Sequence, residues 1–179
     1  MSIIKLIKRI KPLYLLLLWF RKQLSYLSGR RKYRCLQKQM YMTDPCSDKR
    51  QKYWVKCGAH IEGQINIGAE VYFDAGNAEH IYIGEGSWIT SRCLLLCHKR
   101  DMSEYYYGSD VNKLPYIISD IHIGKNVHIG MNSIIMPGVT IGDGAIIGAG
   151  SLVTRDVPPY SLAVGSPAKV IKQFEKKNE

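Results

Sequence analysis

No apolar run in this 179-residue sequence approaches the ~18–20 residues that a membrane-crossing helix requires; the longest, Leu13 to Phe20, has eight. No small-residue cleavage site follows that run, so a secretory signal is a poor match. The five cysteines (Cys35, Cys46, Cys57, Cys93, Cys97) are odd in number and include no CxxC pair. This argues against a disulfide framework or a structural zinc site and for a reducing, cytoplasmic setting. The 16 glycines follow no Gly-X-Y period, which excludes collagen. Acidic residues are almost missing from the first third: residues 1–56 hold only Asp44 and Asp48 against 15 Lys/Arg, whereas residues 57–179 hold 13 Asp/Glu against 10 Lys/Arg. The net charge of +10 therefore belongs to an N-terminal segment. The composition, 46% apolar and 22% charged, is that of a foldable globular chain, and the length fits one domain or a domain with a sizeable appendage.

In that segment Ile3, Ile4, Ile7, Ile10, Leu13 and Tyr14 recur at helical spacing among Lys5, Lys8, Arg9 and Lys11. Leu15 to Leu18, Trp19 and Phe20 follow, then Arg21 and Lys22. Pro12 interrupts the pattern, so two short helices fit as well as one. Two readings stay open: a basic amphipathic helix on an acidic membrane surface, at the inner membrane face, or an apolar face packed on the protein's own core or a neighbouring subunit. Nucleic acid is not the expected partner, because no motif organises the charges. Residues 1–56 are thus expected to form a basic, partly helical segment.

The remainder is organised by a period of six. From Ile123 an aliphatic recurs at Ile129, Ile135, Ile141, Ile147 and Val153, and four of these six are followed by Gly124, Gly130, Gly142 and Gly148. Four residues after the anchors come small or β-branched residues, Val127, Ser133, Val139, Ala145 and Ser151. The same pattern appears at Ile61, Ile67, Phe73 and at Ile83, Ile89, Leu95. Neither a helix nor a hairpin has this period. Short strands that turn a corner every six residues do, and three sides make an 18-residue coil whose backbone pairs with the next coil around an aliphatic ladder. Counted in threes the anchors give four coils: 61–73, 83–95, 123–135 and 141–153. The first join is four residues longer than the period allows, and the second spans 28 residues in place of six. That excursion, roughly residues 98–120, is where a site is expected.

The repeat resembles the hexapeptide-repeat acyltransferase family, and within it the galactoside/maltose O-acetyltransferase subgroup. The string Ile121-His-Ile-Gly-Lys-Asn-Val-His-Ile-Gly130, the string from Ile135-Met-Pro-Gly-Val-Thr-Ile-Gly to Val157-Pro-Pro159, and Ala163-Val-Gly-Ser-Pro-Ala-Lys-Val-Ile-Lys172 carry the resemblance. It covers about residues 57–172 and leaves the basic N-terminus unmatched. It implies a mainly β fold, a left-handed parallel β-helix over 57–157 with an extended loop at about 98–120, followed by a tail or short helix over 158–179. The handedness comes from the resemblance alone, since parallel crossovers are ordinarily right-handed.

The chemistry that the resemblance implies is acetyl transfer from acetyl-CoA to a sugar hydroxyl, without a metal; the basic, aromatic-containing N-terminus adds the expectation of a lipid-linked or cell-surface saccharide, such as a polysaccharide precursor, as acceptor. Such a transfer needs a base for the hydroxyl proton and N–H donors for the developing oxyanion. Of the histidines His60, His80, His98, His122 and His128, His98 alone sits where the long loop leaves its coil. That is the position of the family's catalytic histidine, so His98 is the expected general base, and imidazole titrates in the range that proton abstraction near neutrality requires. Its orienting partner is open: Asp101, Glu104 or a backbone carbonyl would serve. The resemblance further implies that Asp74, standing where the family usually has Asn, contacts the acceptor; Tyr116, on the loop, is a candidate stacking surface for the sugar. Tyr105, Tyr106 and Tyr107 offer further stacking surfaces. The arm of coenzyme A is expected at Met131 and Ala149, and its phosphates and adenine near Thr154, Arg155, Lys169 and Lys172. Lys at the last two positions keeps the charge of the family's Arg but loses its bidentate geometry. A homotrimer is implied, with His98 of one subunit facing Asp74 or the coenzyme groove of another. The rival readings are acetylation of an antibiotic hydroxyl, a hydratase using zinc on three convergent histidines, and a membrane-attached scaffold without activity.

Overall fold

The computed structural model describes residues 48–176; the expected amphipathic segment at residues 1–30 lies outside the described residues. The period of six becomes a parallel β-helix, each anchor closing a two- or three-residue strand. The first coil holds β1 (His60–Ile61), β2 (Asn66–Ile67) and β3 (Tyr72–Phe73), and the second β4 (Ile81–Ile83), β5 (Trp88–Ile89) and β6 (Leu94–Leu95). The excursion supplies a two-stranded ribbon, β7 (His98–Arg100) and β8 (Tyr116–Ile118). The third coil holds β9 (Ile121–Ile123), β10 (His128–Ile129) and β11 (Ile134–Ile135), and the fourth β12 (Thr140–Ile141), β13 (Ile146–Ile147) and β14 (Leu152–Val153). β15 (Ser161–Gly165) and β16 (Ala168–Gln173) follow.

Like sides of successive coils pair in parallel and make three faces. Face A is β1-β4-β9-β12, face B runs β2-β5-β10-β13-β15-β16, and face C is β3-β6-β11-β14. Anchor lies on anchor in every rung: Ile83↔Ile123, Ile89↔Ile129, Leu95↔Ile135, Ile135↔Val153. The anchors from Ile67 to Val153 are all buried, Ile89, Leu95, Ile129, Ile135 and Ile147 completely. The residues four places after the anchors are buried as well, and the serines among them serve the backbone. Ser133 Oγ donates to the Gly130 carbonyl at 2.7 Å and Ser151 Oγ to the Gly148 carbonyl at 2.6 Å. Glycine after the anchor is a matter of room: a Cβ on Gly130 would stand 2.4 Å from the Ala149 nitrogen of the next coil.

Two segments differ from expectation. The helix α1 (Asp48–Cys57) belongs to the prism: Trp54 and Cys57 are buried, Trp54 packs on Phe73 with ring centroids 4.2 Å apart, and Arg50 Nη1 donates to the Ile67 carbonyl at 2.9 Å. The helix covers the open end of the first coil, and the coils start at His60 rather than at residue 57. The C-terminal stretch, expected as a tail or short helix, is instead a strand pair. β15 continues face B on β13 and β16 returns antiparallel, because face B ends in an open edge and Gly165 (φ +104°) turns the chain between β-branched Val164 and Val170.

Because Ile135 is wholly buried between Leu95 and Val153, Ile135→Ala is expected to lower the stability by about 2–5 kcal/mol, read as a lower urea midpoint.

Candidate active site

Both departures from the six-residue period fall on one corner, between faces C and A. The first, residues 74–80, joins β3 to β4; the second, residues 96–120, joins β6 to β9 through the ribbon. β3 and β6 are neighbouring rungs, Phe73 opposite Leu95, and the Asp74 N–H donates to the Leu95 carbonyl at 3.0 Å. The residues that leave these two rungs therefore meet. His98 Nδ1 donates to Asp74 Oδ2 in a close contact within the same chain. Asn77 Nδ2 donates to the same oxygen at 2.9 Å.

The Asp74 side chain is 8% exposed and that of His98 38%. A sheltered carboxylate that accepts two hydrogen bonds fixes the tautomer of its imidazole: Nδ1 carries the proton and Nε2 presents a lone pair. Among the described residues Nε2 has no hydrogen-bond partner. The Tyr116 ring stands edge-on to the His98 ring, centroids 5.2 Å apart at 82°, and is held from behind by the Arg100 guanidinium 4.1 Å from its centroid. Arg100 also donates to the carbonyls of Leu114 at 2.6 Å and Asn112 at 3.1 Å, which ties the two limbs of the loop together.

Asp74, expected to contact the acceptor, has its carboxylate engaged by His98 and Asn77, and it is this carboxylate, not Asp101 or Glu104, that meets the His98 ring. Asp101 accepts from the Ser103 N–H at 3.0 Å, which holds its carboxyl below the usual carboxylate range. Cys97, at the start of the second departure, is wholly buried. Burial, with the negative charges of Asp74, Asp120 and Glu79 beside it, pushes its thiol up to about 12.

The expected coenzyme residues fall on two corners. Met131 and Ala149 occupy successive turns between faces B and C, stacked through a Gly150 N–H to Met131 carbonyl bond of 2.7 Å. Both are exposed, and their own amide N–H groups have no partner among the described residues. That leaves a narrow column of free donors with little side chain above Ala149, which suits an extended amide-bearing arm. Lys169 and Lys172 extend face B beyond this corner, opposite Val164 and Leu162. Thr154 and Arg155 lie across face C, at the C–A corner of the last coil. His98 shares their corner and not that of Met131. The three histidines considered for a metal lie apart within the chain: His98 on the ribbon, His122 on face A, His128 on face B.

Asn77 and Arg100 were missed in the sequence. Asn77 stands three residues after Asp74, a spacing at which one tight turn joins their side chains. Arg100 stands two after His98, on the same side of a strand.

A family model described as bacterial transferase hexapeptide (six repeats) matches residues 120–155. No match to the sequence was found among curated proteins. Among solved structures the chain is similar to a maltose O-acetyltransferase from Clostridium difficile 630, with 25% identity, a TM-score of 0.64, and coverage of 82% of this chain and 86% of the other. It is similar to a galactoside acetyltransferase in complex with coenzyme A, with 26% identity, a TM-score of 0.61, and coverage of 81% and 80%. It is also similar to the polySia-specific acetyltransferase NeuO, with 32% identity and a TM-score of 0.50 over 66% of this chain and 55% of the other.

A thiol held neutral and buried is poorly nucleophilic. Cys97 is therefore expected to stay unmodified by iodoacetamide in the native protein near neutral pH and to react once the chain is denatured, as peptide mass mapping would show.

Proposed function

We propose that this chain, whose residues 120–155 match the hexapeptide transferase model and whose fold is similar to those of maltose and galactoside acetyltransferases, transfers acetyl from acetyl-CoA to a hydroxyl of a sugar. The observation that carries the reading is the Asp74–His98 pair at the root of the ribbon. With Nδ1 donating to the carboxylate, Nε2 takes the proton of the attacking hydroxyl. The hydroxyl oxygen forms the new ester bond as the thioester carbon–sulfur bond breaks, and Nε2 returns its proton to the departing sulfur. Tyr116 walls the space beside Nε2 with a surface on which a sugar ring can stack. The names of the similar structures, two of them acetyltransferases of maltose or galactosides and one specific for polySia, support a saccharide acceptor.

Acetyl-CoA supplies the activated acyl group; Met131 and Ala149 would carry its arm, and Lys169 and Lys172 would neutralise its phosphates. His98 and this column stand on different corners of one prism, so the reading requires a second copy whose B–C corner meets the C–A corner of the first. Contact between unlike corners closes on itself in a ring, and a homotrimer is the assembly that suits a three-sided prism.

The test is thiol release from acetyl-CoA against a panel of mono-, oligo- and lipid-linked saccharides. His98→Ala is expected to lower kcat by about 10²–10⁴-fold. Asp74→Asn is expected to lower it less, with KM for acetyl-CoA unchanged. Full activity of His98→Ala would refute the assignment of the base.

The basic residues 1–30 support an acceptor held at an anionic membrane surface, either a lipid-linked or a cell-surface saccharide. The full chain is expected to co-sediment with phosphatidylserine-containing vesicles and not with neutral ones. Replacing Lys5, Lys8, Arg9 and Lys11 by Ser should weaken that binding by about 1 kcal/mol each. Equal binding to both vesicle types would remove the membrane from the proposal.

A further inference from the structure

The long join between the first two coils has a second end. Residues 74–80 run from Asp74 through a 3-10 turn, Ala75–His80, into β4. At the same corner of the later coils four residues, 136–139, suffice to carry the chain from β11 to β12. The longer join is thus not needed to turn the corner. Asp74 at its start holds His98, the first residue of the ribbon. His80 at its end holds Asp120, the last residue before β9: His80 Nδ1 and Asp120 Oδ1 are 2.6 Å apart. One short segment therefore touches both roots of the loop.

The ribbon has little else to fix it. It is three register pairs long, His98↔Ile118, Lys99↔Ile117 and Arg100↔Tyr116. All three residues of β8 are exposed, so no core lies beneath it. A two-stranded ribbon of that size is marginal by itself. The Arg100 bonds act within the loop. The Ser119 N–H to Cys97 carbonyl bond at 2.9 Å joins the two roots to each other; among the described residues they are tied to the prism by the Leu96 N–H to Ile135 carbonyl bond at 3.0 Å and the Cys97 Sγ contact with the His80 carbonyl at 3.8 Å, and to the first join by the Asp74–His98 and His80–Asp120 pairs. The His122 imidazole also faces Asp120, with Nε2 3.8 Å from Oδ2, and stacks on Tyr82 on the same face.

We infer that His80 is a positioning residue: through its hydrogen bond to Asp120 it brackets the return limb of the loop, and so sets where Tyr116 and His98 stand. A half-exposed pair of this kind contributes little to global stability; its effect is on local opening of the ribbon. The kinetic part of this inference rests on the transferase reading above, and the part concerning loop order does not.

The experiment compares His80→Ala, His80→Asn and Asp120→Ala in the full chain. It uses amide hydrogen exchange of residues 98–119, with the amides of β10 and β13 as internal reference, and acetyl-transfer kinetics on an acceptor that the wild type uses. The amide of Asn places a donor close to where Nδ1 stands, so His80→Asn is the conservative variant. Expected are faster exchange in 98–119 by roughly ten-fold for both alanine variants, unchanged exchange in the reference strands, and restoration in His80→Asn. The double alanine variant should exchange little faster than either single one, since the two residues act through one bond. In kinetics, kcat should fall by roughly ten- to hundred-fold, as for a catalytic group misplaced by about 1 Å, with KM for acetyl-CoA unchanged. Native exchange of residues 98–119 in His80→Ala would overturn the inference. So would equal loss in His80→Asn and His80→Ala, which would make the imidazole a packing element. Absence of acetyl transfer by the wild type would refute the transferase reading and leave the exchange comparison to decide this one.

Discussion

Each coil of this protein lies within hydrogen-bond reach of the next, and that spacing governs everything else. A rung of about 4.8 Å leaves room inside only for one aliphatic per side, hence the column Ile83, Ile123, Ile141 and its two counterparts. It leaves no room for a side chain where the corner meets the next coil, hence Gly130 against Ala149. Outside, the same spacing matches the thickness of aromatic rings. His60, Tyr82 and His122, on three successive rungs of face A, stack with centroids 4.6 Å apart. The rungs tolerate nothing inserted within them. Extra residues can leave only at corners, and both long joins do so.

That both leave by the same corner makes the site. Asp74 and His98 are 24 residues apart in sequence, but their strands are adjacent rungs, so residues expelled from the two rungs become neighbours without any further organisation. The carboxylate ends up sheltered and the imidazole accessible, the order that the proposed general base requires, since the fixed partner needs protection from water and the reactive nitrogen needs an opening. The same crowding explains Cys97. A thiol enclosed between two His–Asp pairs is surrounded by negative charge and burial together, and both keep it protonated.

The coils were legible in the sequence because a period of six has no other regular explanation, and from Ile67 onward the anchors named from it are buried. His98 was legible as the one histidine at the mouth of the long join. Asp74 was legible as a position but its contact with His98 was not: the four extra residues of the first join hide the register between the chain leaving β3 and the chain leaving β6. The pairing His80–Asp120 was hidden for the same reason. α1 falls within the segment read as basic and partly helical because Lys49, Arg50, Lys52 and Lys56 dominate its composition, while its burial is carried by Trp54, Cys57 and Arg50, a cation whose burial composition does not announce. The terminal strand pair gave no alternation to read, since Lys169-Val-Ile-Lys172 places apolar residues side by side on an edge strand that is exposed along most of its length.

A prism also separates what a transfer reaction must bring together. Its corners are columns, and each column suits a different part of the reaction. Under the proposed reading the B–C corner, with exposed turns on successive coils, offers a straight track for a long co-substrate, and the C–A corner, interrupted by the ribbon, offers a base and an acceptor wall. Between them face C carries outward Tyr72, Leu94, Ile134 and Leu152, a row without a charged or imidazole side chain, whereas the corresponding rows of faces A and B include His122 and His128. Under the proposed reading this asymmetry has a use. An apolar face flanked by two unlike half-sites is what a ring of identical chains needs, because covering that face brings the base of one copy to the track of the next. The same geometry assigns specificity and donor binding to different constraints. The track is bound to the rung spacing and can change little, whereas the ribbon, held by a few polar ties at its roots, can change its acceptor without disturbing a single rung.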